Sequence, residues 1–268
     1  MKKLIFCLAL LLPAFCLARV PQTVTTHDGK TLKLVWYDEF KGTGLPDPAK
    51  WGYEHGFVRN GEAQFYTRGR EKNVYQKNGK LIIKSFREDY EENGQKAKYT
   101  SGSVTTDGKA SWTYGRIEVR AKLPTGRGAW PAIWMLGNNI HEINWPRCGE
   151  IDIMEYVGFN PTQIHATVHA AHDGHHVGKG ENIRLENVEN RFAVYAVEWT
   201  ADKMDFFVDD HLYFTFKRGD MPVDPWPFDK PHYLIINTAI GGGWGGQKGI
   251  DDSAFPMTYE IDYVRVYQ

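Results

Sequence analysis

The chain has 268 residues and a formal net charge of −1 at pH 7, so no global field draws it to nucleic acid or to an anionic membrane surface. That length suits one large all-β domain or two small domains. Aromatic residues make up 14%, including 9 Trp, which serves either a large β core or a surface where indole rings stack on sugar faces; composition does not separate the two.

Residues 1–18 read as a signal peptide. Lys2 and Lys3 form a charged start, Leu4 to Leu17 an apolar run, and Cys16-Leu17-Ala18 a cleavage site after Ala18. The run is shorter than the roughly 20 residues of a spanning helix, and no later segment is long and apolar enough to span. An exported protein without a membrane span is expected, periplasmic or secreted. Lipidation at Cys16 is the weaker reading, because bulky Phe15 precedes it. Cys7 and Cys16 leave with this segment, so Cys148 has no internal disulfide partner. It reads as a buried structural cysteine rather than a catalytic thiol. Residues 19–268 read as one β domain.

Strand signals then follow in order. Leu81 to Phe86 is one run, and Gly115 to Ala121 alternates strictly, with Ile117, Val119 and Ala121 on one face and Arg116, Glu118 and Arg120 on the other. Phe192 to Trp199 is another. Met204 to Val208 and Leu212 to Phe216 flank a hairpin turn at Asp209-Asp210-His211. Tyr233 to Ala239 precedes a glycine cluster at Gly241 to Gly243, and Tyr259 to Tyr267 alternates to the end of the chain. Asn78-Gly79, Asn93-Gly94, Asp107-Gly108 and Asp173-Gly174 punctuate these runs as turns. No long helical period and no internal repeat interrupt them. An all-β sandwich or barrel is expected.

The segment from Gly149 to Val157 carries the chemistry. Alternation puts Glu150 and Asp152 on one face, with Ile151 and Ile153 pointing into the core. Glu155 is out of phase by one residue, and a β-bulge near Ile153-Met154 returns it to the acidic face. Three carboxylates on one face admit three readings: paired acids for bond cleavage, a calcium-type metal site, or a solvated acidic surface. Glycoside hydrolysis needs two carboxyl groups about 5–5.5 Å apart for retention or about 6.5–9.5 Å apart for inversion. Glu150 and Glu155 lie roughly 13 Å apart along an extended chain with one residue lost to the bulge, a gap that two long side chains leaning together close. Asp152 between them is placed to hydrogen-bond one partner. Spacing does not say which pair reacts.

Glu150-Ile151-Asp152-Ile153-Met154-Glu155 resembles the bulged active-site strand of family 16 glycoside hydrolases. Gly126 to Gly137, Asn60 to Thr67, Tyr114-Gly115-Arg116, Trp36 to Phe40 and Ile261 to Tyr267 resemble blocks of its laminarinase-like members, in the same order along the chain. The resemblance implies a β-jelly-roll sandwich of two antiparallel sheets with a concave cleft, and a retaining endo-hydrolase. By motif position Glu150 is the nucleophile, Glu155 the general acid and then base, and Asp152 their support. Trp130 and Trp134, four residues apart and therefore on one face of a strand, line the glycone side, where Asn60 and Arg87 meet sugar hydroxyls. His169 approaches the acid/base region, and Trp244 flanks the aglycone side. A structural calcium is implied at Glu39, the Gly79 carbonyl and Asp262, with no cofactor for catalysis. His172, His175 and His176 look like zinc ligands, but their loop resembles a variable family loop, so no metal is assigned to them. The implied activity is endo-cleavage of β-1,3-glucan, with mixed-linkage β-1,3-1,4-glucan as a second substrate, by a monomer whose partner is the polysaccharide. A same-fold hydrolase of another polysaccharide, such as an algal galactan, and a non-catalytic β-glucan-binding protein are the alternatives. The second is disfavoured because all three acids stand.

Overall fold

Alternating apolar residues bounded by Asn-Gly and Asp-Gly pairs build short strands joined by tight turns. In the computed structural model, which describes residues 20–187 and 190–268, these are β1 (Thr23–Thr25), β2 (Thr31–Asp38), β3 (Gly52–Tyr53), β4 (Gln64–Tyr66), β5 (Val74–Gln76) and β6 (Leu81–Glu92). Next come β7 (Gln95–Ser101), β8 (Ser103–Thr105), β9 (Gly115–Lys122), β10 (Ala129–Gly137), β11 (Glu150–Glu155) and β12 (Gln163–His172). The chain continues through β13 (His175–Arg184), β14 (Ala193–Trp199), β15 (Lys203–Val208), β16 (His211–Lys217), β17 (His232–Ile240) and β18 (Met257–Tyr267). Two one-turn helices, α1 (Ile140–Ile143) and α2 (Gly242–Gly245), sit in loops. The signal peptide expected at residues 1–18, with Cys7 and Cys16, lies outside the described residues.

The strands form a jelly-roll sandwich. One sheet has the order β13-β12-β11-β10-β17-β8-β3 and carries the site. The other runs β16-β15-β14-β9-β18-β6-β7-β4, with β2 and β5 added beside β18 and β6 and β1 paired to β2. Pairing is antiparallel throughout both sheets except between β4 and β7. The two-residue turns Asn93-Gly94 and Asp173-Gly174 combine φ values of 51° and 78° and of 50° and 78°, the left-handed pair that matches the twist of a hairpin.

Period-two alternation divides each strand between core and surface. Ile117, Val119 and Ala121 of β9 face Ile133 and Met135 of β10 and Ile151 and Ile153 of β11, all fully buried in one cluster. Each such aliphatic side chain contributes about 1.5–3 kcal/mol on burial. The opposite face of β9 is not simply solvated. Arg116 and Glu118 are buried there, with Arg116 donating to Glu118 and to Glu198 at 2.9 and 2.8 Å. On β12, Ile164, Ala166, Val168 and Ala170 point inward. Their neighbours His165, Thr167 and His169 are left to line a cleft on the outer face of this sheet.

Candidate active site

The acidic strand carries the expected bulge. Against β12, Asp152 and Glu155 pair with Thr167 and His165; against β10, Asp152 and Met154 pair with Trp134 and Ile133. The β10 ladder leaves Ile153 as the extra residue, and the β12 ladder sets Ile153 and Met154 against Ala166 alone. Ile151, Ile153 and Met154 are all fully buried, and Glu155 returns to the face of Glu150 and Asp152, where the three line one recess.

Each acid has its own partners. Glu150 shares a hydrogen bond with Asp152 and accepts one from Trp145 Nε1 at 2.6 Å. Glu155 accepts one from Trp130 Nε1 at 3.0 Å. Asp152, only 2% exposed, has His169 Nε2 at an ion-pair distance of 3.0 Å from its Oδ2, and that oxygen has no hydrogen-bond partner. His169 Nδ1 in turn meets His176 Nε2 at 2.8 Å.

Burial is the first cause of raised pKa at all three carboxyls, and their mutual repulsion the second. Glu150 is pushed up to about 8, by burial and then by the charge of Asp152, with Trp145 opposing. Glu155 is pushed up to about 7, by burial and then by Glu150, with Trp130 opposing. Asp152 lies well above the ordinary range, by burial and then by Glu155. The cluster therefore titrates as one coupled set and retains protons near neutral pH. One protonated and one ionised carboxyl on the same face is the requirement for acid-assisted cleavage of a glycosidic bond.

The cleft above the acids encloses about 840 Å³, within the range of small-molecule and oligosaccharide sites. Trp130 and Trp244 meet edge to face at 5.6 Å, and His165 abuts Trp244 at 4.9 Å. Trp134 donates Nε1 to Asn237 at 2.8 Å, while the Arg59 guanidinium covers its ring at 4.7 Å. Arg59 is itself clamped by Glu54, which Ser103 also reaches. Asn60, at φ 56°, donates Nδ2 to the buried Glu62 at 3.2 Å. Burial raises the Glu62 pKa.

Of the residues expected from the sequence, Glu150, Asp152, Glu155, Trp130, Trp134, Asn60, His169 and Trp244 converge on this cleft. Arg87 is not brought there. It sits on β6 in the opposite sheet and its Nε donates to Asp252 at 2.6 Å. Of the Glu39, Gly79 and Asp262 set, Asp262 lies on β18 of the same opposite sheet and Glu39 directly follows β2. The β5–β6 turn carries Gly79, and Leu81 beyond it pairs with Ile261 beside Asp262. Two carboxylates and a carbonyl are suitable donors for a hard cation. As arranged, however, Arg265 holds both oxygens of Glu39 at 2.8 and 3.1 Å, and Arg120 holds Asp262 at 2.5 Å. In this arrangement each carboxylate is engaged by an arginine. Cys148 is fully buried and burial pushes its thiol up to about 11, which leaves it unreactive.

Trp145, His165, Arg59, Glu62 and Asn237 complete the cleft together with His176; the sequence assigned none of them to it and weighed His176 only as a zinc-like ligand of its loop. His165 shares a face with His169, which is a legible signal. Trp145 and Arg59 come from loops without periodicity, and Asn237 from a buried strand where a polar residue among Ile235, Ile236 and Ala239 is the clue.

Comparison with known proteins bears on this geometry. The profile of the glycosyl hydrolases family 16 matches residues 61–265. A beta-glucanase of Rhodothermus marinus is 50% identical over 249 residues, covering 88% of this chain and 85% of the relative. The X-ray structure of the laminarinase from Rhodothermus marinus superposes with a TM-score of 0.81 at 49% identity, covering 88% of this chain and 97% of that one. The crystal structure of a non-specific endo-β-1,3(4)-glucanase of the same family gives 0.83 at 43% identity, over 92% and 95% of the two chains. With the bulged acidic strand at the floor of its cleft, this chain belongs to glycosyl hydrolase family 16.

Proposed function

We propose that this protein is a retaining endo-β-1,3-glucanase that also accepts mixed-linkage β-1,3-1,4-glucan. The observation that carries the reading is the trio Glu150, Asp152 and Glu155 on one face of a bulged strand, beneath a tryptophan-lined cleft. Relatives named for β-1,3- and β-1,3(4)-glucan support the choice of sugar. In this reading Glu150 attacks the anomeric carbon while Glu155 protonates the departing glycosidic oxygen. The glycosyl-enzyme formed on Glu150 is then hydrolysed by water that Glu155 deprotonates, which retains the configuration. Asp152 hydrogen-bonds Glu150 and orients it. Trp130 and Trp145 orient Glu155 and Glu150, and the indole faces of Trp130, Trp134 and Trp244 receive pyranose rings.

Laminarin, lichenan and agarose incubated side by side test the proposal. Laminarin and lichenan are expected to yield shorter oligosaccharides whose first-formed reducing ends are β by NMR. Cleavage of agarose alone, α-configured first products, or binding without cleavage each overturn it. Glu150→Gln is expected to lower kcat by about 10³-fold or more. Export is part of the same proposal and rests on residues 1–18: Edman sequencing of protein recovered outside the cytoplasm is expected to begin at Arg19.

A further inference from the structure

We propose that Glu150, Asp152 and His169 form a binding site for a zinc-type divalent transition-metal ion, and that its occupancy turns the cleft off. One carboxylate oxygen from each acid and one ring nitrogen of His169 lie within 4.8 Å of one another. Side-chain adjustment closes that set around an ion with bonds of about 2.0–2.2 Å.

Three further observations point to a cation. Asp152 is 2% exposed and lines the recess, and its buried Oδ2 has no hydrogen-bond donor. A buried carboxylate oxygen left without a partner is costly, and a bound cation removes the deficit. Next, His169 is the basic side chain at ion-pair distance from these acids among the described residues; no arginine or lysine competes for them as Arg265 and Arg120 do at Glu39 and Asp262. Finally, His169 already has the outer partner that a metal-bound imidazole uses. Its Nδ1 lies 2.8 Å from His176 Nε2. With the His169 proton on Nδ1 and donated to His176, the Nε2 lone pair is free for the ion, and the second-shell bond fixes ring and tautomer.

The donor set decides the class of ion. Two carboxylates and one imidazole suit zinc and its neighbours, whereas calcium and magnesium prefer oxygen alone. A fourth position is left open to the cleft. An ion there ties up Glu150 and occupies the space of a reacting sugar. The binding itself does not depend on which polysaccharide is cut, or on whether one is.

Titration calorimetry of the intact protein with zinc chloride in a non-chelating buffer tests the site without any substrate. One zinc per chain is expected, with no heat from calcium at this site. His169→Ala and Asp152→Asn are each expected to weaken zinc by at least about 10-fold, and His176→Gln by about 10–100-fold. The double variant His172→Ala/His175→Ala is expected to bind as the wild type does. In hydrolysis assays zinc is expected to inhibit competitively and EDTA to restore the rate. Unchanged zinc affinity in His169→Ala, or its loss in the double variant, overturns the proposal; the latter places the ion at the β12–β13 turn. Thermal midpoints of each variant establish folding. If His169→Ala does not fold, His176→Gln decides by the same criterion.

Discussion

Two indole N–H groups divide the acids between them, Trp145 serving Glu150 and Trp130 serving Glu155. A hydrogen bond to the ionised form lowers a carboxyl pKa, so each tryptophan offsets part of the rise that burial imposes. Replacing either by phenylalanine keeps an aromatic ring and removes the donor. Glu150 titrates above Glu155 in this coupled pair, so the acid limb of a bell-shaped profile follows the lower transition, dominated by Glu155, and the alkaline limb the higher one, dominated by Glu150. Trp145→Phe is therefore expected to move the alkaline limb of the kcat/KM–pH profile upward by about half to one unit. Trp130→Phe is expected to move the acid limb upward instead. A profile in which Trp145→Phe shifts the acid limb would reverse the order of the two transitions. Trp130 was legible because it shares a strand face with Trp134. Trp145 was not, because it stands in the loop after α1 and meets Glu150 only through the folded turn.

The bulge at Ile153 shows what an element adds to residue chemistry. The three-residue step from Asp152 to Glu155 would turn Glu155 into the core of a regular strand. Alternation alone revealed the conflict and its remedy. Deleting Met154 leaves Glu-Ile-Asp-Ile-Glu, which places all three acids outward without a bulge and keeps Glu155 opposite His165 and Ala132. The deletion variant is expected to fold and to retain detectable hydrolysis, lowered about 10²-fold by misplacement on the order of 1 Å, whereas Glu155→Gln abolishes unaided cleavage of laminarin. Absence of activity from a folded deletion variant, judged by circular dichroism, contradicts this account of the strand. By contrast β13 gave no signal in the sequence, since its histidines, glycines and charged residues lie mostly exposed at a sheet edge. Only pairing with β12 makes it a strand. At β18, a structural calcium at Glu39, the Gly79 carbonyl and Asp262 remains a proposal in which the ion must displace Arg265 and Arg120. A thermal midpoint higher in millimolar calcium than in EDTA supports it. An unchanged midpoint assigns both carboxylates to their arginines.

For the molecule as a whole, the acid cluster sets function against stability. Its fold class was legible from strand periodicity, yet the electrostatic load of the site depends on burial that only the assembled sandwich creates. Glu150 is raised from an ordinary 4.5 to about 8, and Glu155 from 4.5 to about 7. Between the unfolded and folded values the native state binds protons that the unfolded chain has released, so stability declines as pH rises across that window. The buried His232 acts in the opposite sense. Burial lowers it from 6.5 to about 4, so its neutral form favours the folded state increasingly as pH rises through that interval. Wild-type stability mixes the two effects, but the difference between wild type and Glu150→Gln cancels the histidine. Glutamine cannot ionise, so the variant is expected to unfold at a higher temperature than wild type, with a gap that is small at pH 5 and widens toward pH 8. Partial exposure of Glu150 and sharing of protons within the cluster hold the gain to about 1–3 kcal/mol, or roughly 2–10 °C for a chain of this size. Differential scanning calorimetry at pH 5, 6.5 and 8 measures it directly. A pH-independent gap, or a variant less stable than wild type at pH 8, would mean that the cleft solvates its acids and that their catalytic pKa values are ordinary. A widening gap identifies the charge that the cleft holds for catalysis as a cost borne by the entire fold.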